Sequence, residues 1–156
     1  LRMILRFAAA LALAVATPAM ATAVTPALKV TTIDGKSFDL SAQRGKWVIV
    51  NYWATWCVPC IKEMPDISGF VKDHANVAAI GLAFEDTDAK EIKAFVAKHP
   101  VAYPIAQVDV TEPPKDFDPP QGLPTTYLIA PDGHVAKRFV GPVDAKKLSE
   151  AIAGGK

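Results

Sequence analysis

The chain has 156 residues, with 17 lysines and arginines against 16 aspartates and glutamates. So even a balance excludes the basic footprint of a nucleic-acid-binding protein. It is 51% hydrophobic and contains 2 cysteines, which suits one domain with one core and excludes a fold stapled by several disulfides.

At the amino terminus, Arg2 and Arg6 bring positive charge to Ile4–Ala16, otherwise apolar and too short to span a bilayer comfortably. Pro18-Ala19-Met20-Ala21 sets small residues before a cleavage site after Ala21, and Ala21-Thr22-Ala23 offers a second. Residues 1–21 are predicted to be a secretory signal peptide and 22–156 the exported, periplasmic domain, with no stable membrane insertion after cleavage; an uncleaved anchor is the alternative. No cysteine follows the apolar stretch, which argues against a lipoprotein. Cleavage would leave 15 basic and 16 acidic residues, a net charge of −1.

Leu28–Ile33 alternates as a strand, Asp34-Gly35 marks a turn and Ser37–Leu40 returns. Gly45-Lys46 leads into Trp47–Trp53, an apolar run fit for a strand buried on both faces. Residues 58–74 read as a helix, which Pro65 should kink or break in its first half. Val77–Ala83 is the next buried strand. Asp88-Ala89-Lys90-Glu91 resembles a capping box. The helix after it carries Ile92, Phe95 and Val96 on one face and should stop near His99, before Pro100. Thr125–Ala130 and His134–Val140 are predicted strands joined by the turn Pro131-Asp132-Gly133. Asp144–Ala153 is a closing amphipathic helix with Leu148 and Ile152. No internal repeat and no domain linker is present.

The chemistry centres on Trp56-Cys57-Val58-Pro59-Cys60. A bridge between cysteines three apart closes so small a loop that it restrains the unfolded chain little. As a redox couple the spacing is apt. With Cys57 capping a helix, its sulfur faces solvent at the positive end of the dipole, which stabilises the reactive thiolate. Cys60, one turn on, is placed to resolve a mixed disulfide. Pro59 falls in the first turn, where its missing N–H leaves no bond unmade. A structural zinc site wants four ligands, and His74, His99 and His134 are scattered; none of the three is assigned a role. Two inert buried thiols would leave the tryptophan-rich entry unexplained.

From Gly45 to Pro65 the sequence GKWVIVNYWATWCVPCIKEMP resembles the block that marks the exported thiol-disulfide oxidoreductases of the TlpA/ResA/DsbE type, and the likeness runs from about Leu28 to the end. It implies a thioredoxin fold: α/β, a central mixed sheet flanked by helices on both faces, with an amino-terminal β-hairpin and a segment inserted between a central strand and helix. It implies that Cys57 attacks a substrate disulfide and Cys60 resolves it. Gly122-Leu123-Pro124-Thr125 matches the cis-proline site of thioredoxin-like proteins, so Leu123–Pro124 is expected to be cis. Pro124 would lie against the Cys57 sulfur, and the backbone of Leu123 would pair with substrate.

Asn51 stands where thioredoxin has a buried aspartate, and it cannot titrate. The resemblance implies that an acid after the next strand takes over its proton transfers; Glu85 fits, with Asp86 as fallback, and a partly desolvated carboxyl suits that work. Trp56 is expected at the surface beside the nucleophile as a substrate-facing aromatic, Trp53 in the core. Glu63 and Pro65 are marks of the family block, with Glu63 read as a helix-surface acid. One departure stands out. Where relatives have a short helix before the cis-proline, Thr111–Gln121 has four prolines in eight residues, which predicts a stiff, irregular loop beside the active site. Phe117 is its candidate contact with partners.

Val58-Pro59 brings neither charge nor a hydrogen-bonding side chain to the sulfur, which favours a reductant over an oxidant. The resemblance offers substrates of two kinds, haem-attachment cysteines in cytochrome c maturation and cysteines at copper sites. The expected protein is a monomer acting on protein thiols and disulfides. It needs no cofactor beyond the Cys57–Cys60 disulfide, and a membrane electron-donor protein supplies its electrons. The rival readings are an oxidising thioredoxin-like protein and a Cu(I)-binding module using the same thiols, though such relatives space their cysteines one residue wider and add a histidine. A thiol peroxidase has no support, because the nucleophile follows Trp-Ala-Thr-Trp rather than a threonine loop.

Overall fold

The computed structural model describes residues 25–155; the predicted signal segment, residues 1–21, lies outside them. Strand β3 (Trp47–Trp53) is buried at every position. Its side chains alternate between two cores: Trp47, Ile49 and Trp53 enter one, Val48, Val50 and Tyr52 the other. A central strand covered on both faces needs this nearly continuous apolar run. β3 pairs in parallel with β4 (Val77–Phe84) and antiparallel with β6 (Thr125–Ile129). β5 (Ile105–Val108) and β7 (Val135–Val140) form the edges, so the order is β5-β4-β3-β6-β7. The amino-terminal hairpin, β1 (Lys29–Thr31) and β2 (Ser37–Asp39), turns at Gly35 with φ 78°. It is tied to the sheet edge by the Ile33 N–H donating to the Ile105 carbonyl at 2.8 Å.

Helices α1 (Val58–Asp73), α2 (Ala89–Lys98) and α3 (Ala145–Gly154) all contribute to the first core, through Ile67, Ile92 and Leu148 among others. The second core is closed by Leu28 and Phe38 from the hairpin region, Leu40 from a short 3-10 turn, and Phe117. The expected helices on both faces thus become three helices on one face and irregular segments on the other. The reason is partly handedness. β3, β4 and β5 run parallel and step in one direction across the sheet, so right-handed crossovers place α1 and α2 on the same side. On the far side the prolines of residues 113–120 forbid a helix.

Two local expectations change. α1 passes through Pro65 without breaking and runs for 16 residues. The proline removes one ladder bond on the exposed side, while Met64, Ile67 and Phe70 hold the flanking turns in the core. β5 was not anticipated: four residues interrupted by Gln107 show no usable period, and their strand character comes from pairing with Gly81–Phe84 of β4.

Candidate active site

The site forms where β3 ends. The chain leaves the sheet at Trp53, makes a turn closed by the Cys57 N–H on the Ala54 carbonyl at 3.2 Å, and enters α1. Cys57 is the N-cap. Its sulfur accepts the Cys60 N–H at 3.3 Å, satisfying one of the free donors of the first turn. Pro59 lies in that turn, where no N–H is required. The two sulfurs are bonded as a disulfide, with the Cα atoms 5.3 Å apart. Cys57 was expected to face solvent; it is only 4% exposed, and Cys60 is fully buried at 0%. What exposure the pair has is therefore at Cys57. Trp56 beside it is 67% exposed, at the surface as expected, and Trp53 is wholly in the core.

Leu123–Pro124 is cis, as expected. β6 begins at Thr125, which pairs with Tyr52 of β3 and Val140 of β7. One step further along that register sets Pro124 opposite Trp53, at the mouth of the Cys57 turn. The Pro124 carbonyl accepts the Gly141 N–H at 2.8 Å and the Thr125 hydroxyl bonds the Gly122 carbonyl at 2.7 Å, which pins the segment on both sides. Both ladders stop at Thr125, and among the described residues no backbone bond outside the ladders uses the N–H or carbonyl of Leu123.

Glu85 closes the turn from the end of β4. It accepts the Thr55 N–H at 2.7 Å and the Thr55 hydroxyl at 2.9 Å, one bond to each carboxyl oxygen.

A second acid lies beside the site. Glu63, expected on the helix surface, is buried, 2% exposed. One oxygen accepts Asn51 Nδ2 at 2.7 Å, the other the Val143 N–H at 2.8 Å. Asn51 also donates to the Thr126 hydroxyl at 2.9 Å. Asn51 and Thr126 are register partners on adjacent strands, so both point to the face that α1 covers. Burial pushes the Glu63 carboxyl up to about 7, the two hydrogen bonds pulling the other way. Glu63 follows Cys60 by three positions on α1, so the two share a face one turn apart. The signal that could have placed it was in view: an asparagine in an otherwise apolar buried strand needs a polar partner, and α1 offers Glu63 on the face that carries Cys60 and Met64.

Phe117 is also elsewhere than expected. It is not at the surface for partners; it is buried, in edge contact with Tyr127 at 5.0 Å between ring centres. Among the described residues, no three His, Cys, Asp or Glu side chains cluster so as to hold a metal ion, and no helix is long and apolar enough to cross a membrane.

Comparison with known proteins agrees with this geometry. The model of the AhpC/TSA family matches residues 21–138. The thiol-disulfide oxidoreductase ResA of Bacillus thuringiensis subsp. konkukian is 34% identical over 129 residues, covering 81% of this chain and 73% of that protein. A thiol:disulfide interchange protein of the thioredoxin family from Chlorobium tepidum superposes with a TM-score of 0.70 at 26% identity, covering 88% of this chain and 99% of that one. A secreted Mycobacterium tuberculosis disulfide oxidoreductase homologous to E. coli DsbE shares the fold, with a TM-score of 0.69 at 22% identity over 81% of this chain and 95% of that one. The chain belongs to the AhpC/TSA family, as a thioredoxin-like thiol-disulfide oxidoreductase of the TlpA/ResA/DsbE type.

Proposed function

We propose that the protein reduces disulfides of other proteins outside the cytoplasm, with Cys57 as nucleophile and Cys60 as resolving thiol. The observation that carries this is the asymmetry of the pair: Cys57 caps α1 and holds what access there is, while Cys60 is fully buried one turn behind it. The Cys57 thiolate attacks one sulfur of a substrate disulfide, forms a mixed disulfide and expels the other sulfur as thiolate. Cys60 gives up its proton and attacks Cys57, the substrate's second sulfur leaves, and two electrons have passed to the substrate. Trp56, Leu123 and Pro124 form the binding edge, with the free backbone of Leu123 pairing with an extended segment of substrate.

Glu63 takes the proton of Cys60. It is one turn away, buried, and held near the pH at which a carboxyl gives and takes protons readily. Glu85, the acid read from the sequence for this task, has both oxygens on Thr55; its part is to hold the turn that presents Cys57.

A thiolate stabilised by one backbone N–H and the helix end, with no charged group among its two intervening residues, favours a reductant. The deciding measurement is the potential of the Cys57–Cys60 couple: a value near about −270 mV fits, and one near about −120 mV makes the protein an oxidant. Arg2, Arg6 and the apolar run after them support export, and the mature protein should begin at Thr22 by mass spectrometry of a periplasmic fraction. Outside the cytoplasm the dithiol must be recharged, which is the task of the membrane donor. Trapping with Cys60→Ala names the substrate, and haem-attachment or copper-site cysteines are the classes to look for first.

A further inference from the structure

Beside the disulfide, a groove of about 530 Å³ opens between Trp56, Phe84, Asp86, Val110, Pro120 and Leu123. Through Asp86 and Val110 it continues into a second hollow of about 510 Å³, which adds Asp109 and Thr111. Among the described residues, no lysine or arginine lines either. Asp86 and Asp109 are both exposed.

The wall on the far side is the proline-rich segment, and it is fixed in place. Asp109 accepts the Thr111 N–H at 2.7 Å and the Glu112 N–H at 3.3 Å, which sets its first turn. Hydrogen bonds from Thr111 also hold the Asp109 carboxyl below the usual carboxylate range. Asp116 accepts the Ala27 N–H at 2.7 Å, and Tyr127 donates its hydroxyl to the Asp118 carbonyl at 2.9 Å. Phe117 is sunk in the second core between these anchors. A groove whose walls are already set needs little ordering on binding.

We propose that this groove selects the substrate: it takes an extended segment whose cysteine reaches Cys57, with an apolar side chain against Trp56 and Leu123 and a lysine or arginine directed to Asp86 and Asp109. The inference rests on the reductase reading above and supplies its substrate class, protein segments that are basic beside the reactive disulfide. Charge complementarity carries it. The groove adjoins the dithiol through Trp56, the residue before Cys57, and its apolar residues and Asp86 line the same hollow. No described lysine or arginine stands within salt-bridge distance of Asp86 or Asp109, and Lys29 and Lys115 lie in a separate hollow on the other side of Asp109. An approaching basic segment is steered towards Cys57, and an acidic one is repelled.

The test uses the full exported domain in its reduced form. Two peptides differ only in having Lys or Glu near a single cysteine that is disulfide-linked to 2-mercaptoethanol. Bis(2-hydroxyethyl) disulfide, small and neutral, is the reference for each variant. At low ionic strength the second-order rate constant for a single turnover should be about five- to tenfold higher for the Lys peptide than for the Glu peptide, and the ratio should shrink at about 1 M salt, where the screening length is about 3 Å. With Asp86→Asn and Asp109→Asn together, the ratio should fall below about twofold. Equal rates for the two peptides, with the reference disulfide still reduced, overturn the proposal. So does a Lys preference that survives both substitutions. Loss of reduction of the reference disulfide itself strikes instead at the reductase reading, and this inference falls with it.

Discussion

The two faces of the sheet are built by different rules. The helix face carries a buried charge-bearing group, a titratable carboxyl at Glu63, under a disulfide at the end of β3. The far face is filled by Leu28, Phe38, Leu40, Tyr52, Phe117 and their neighbours, and among the described residues no carboxylate or basic side chain and no α-helix contributes to that cluster. The first face has polar partners for its acid, which an inert core would not need. The second has only volume to fill, so a proline-rich segment can cover it as long as one aromatic anchors it. Chemistry is concentrated on one side; the other side supports it and supplies a wall for the groove.

The sharpest way to break this division is to alter the dithiol. Cys57→Ser should lower disulfide reduction to the uncatalysed rate while leaving the fold intact, measured by turnover and circular dichroism. Cys60→Ala should instead accumulate mixed disulfides with partners, visible as adducts on non-reducing gels. If Cys57→Ala trapped partners and Cys60→Ala did not, the assignment of attacker and resolver would be reversed.

Next comes the far face. Phe117→Ala empties a site that is 2% exposed and should cost about 3–5 kcal/mol in denaturant unfolding. The reduction potential of the dithiol should not move. A shifted potential would mean that the faces are coupled through Tyr127 and the sheet.

Glu63 gives a prediction with a sign. Its carboxyl titrates near 7 in the folded protein, against an ordinary value of 4.5. Below about 4.5 both folded and unfolded chains hold the proton, so nothing is lost there. As pH rises towards about 7 the unfolded chain ionises first, so stability falls across that window and levels off above it. The fall should be up to about 3 kcal/mol. Glu63→Gln should flatten it, and should also remove the step near pH 7 from the rate at which Cys60 resolves a mixed disulfide. A surface acid would do neither. Trp56→Ala is expected to be the mildest change: stability within about 0.5 kcal/mol, with KM for a protein disulfide raised and that for bis(2-hydroxyethyl) disulfide unaltered.

Much of this was legible because local signals were strong. The period-2 burial of β3, the Asp88 cap that accepts the Lys90 N–H at 2.9 Å, the Gly35 and Gly133 turns and the spacing of Cys57 and Cys60 are all short-range matters. The cis bond before Pro124 was read from a family motif and not from local chemistry. What escaped was long-range. β5 has a strand's identity only beside β4. Phe117 reads as a loop aromatic until the sheet turns Tyr127 towards it. Glu63 looks like any acid in a helix of mixed charge until Asn51, twelve residues earlier, is found bonded to it.

By itself the sequence determined the redox pair, its N-cap setting and the alternation that buries β3 on both sides, because each depends on residues a few positions apart. The tertiary structure decided that Glu63 is buried, which face carries the helices and what lines the groove at Trp56. Those depend on strand order and register, which bring Asn51, Glu63, Thr126 and Val143 together across 92 residues of chain, and burial there pushes the Glu63 carboxyl up to about 7.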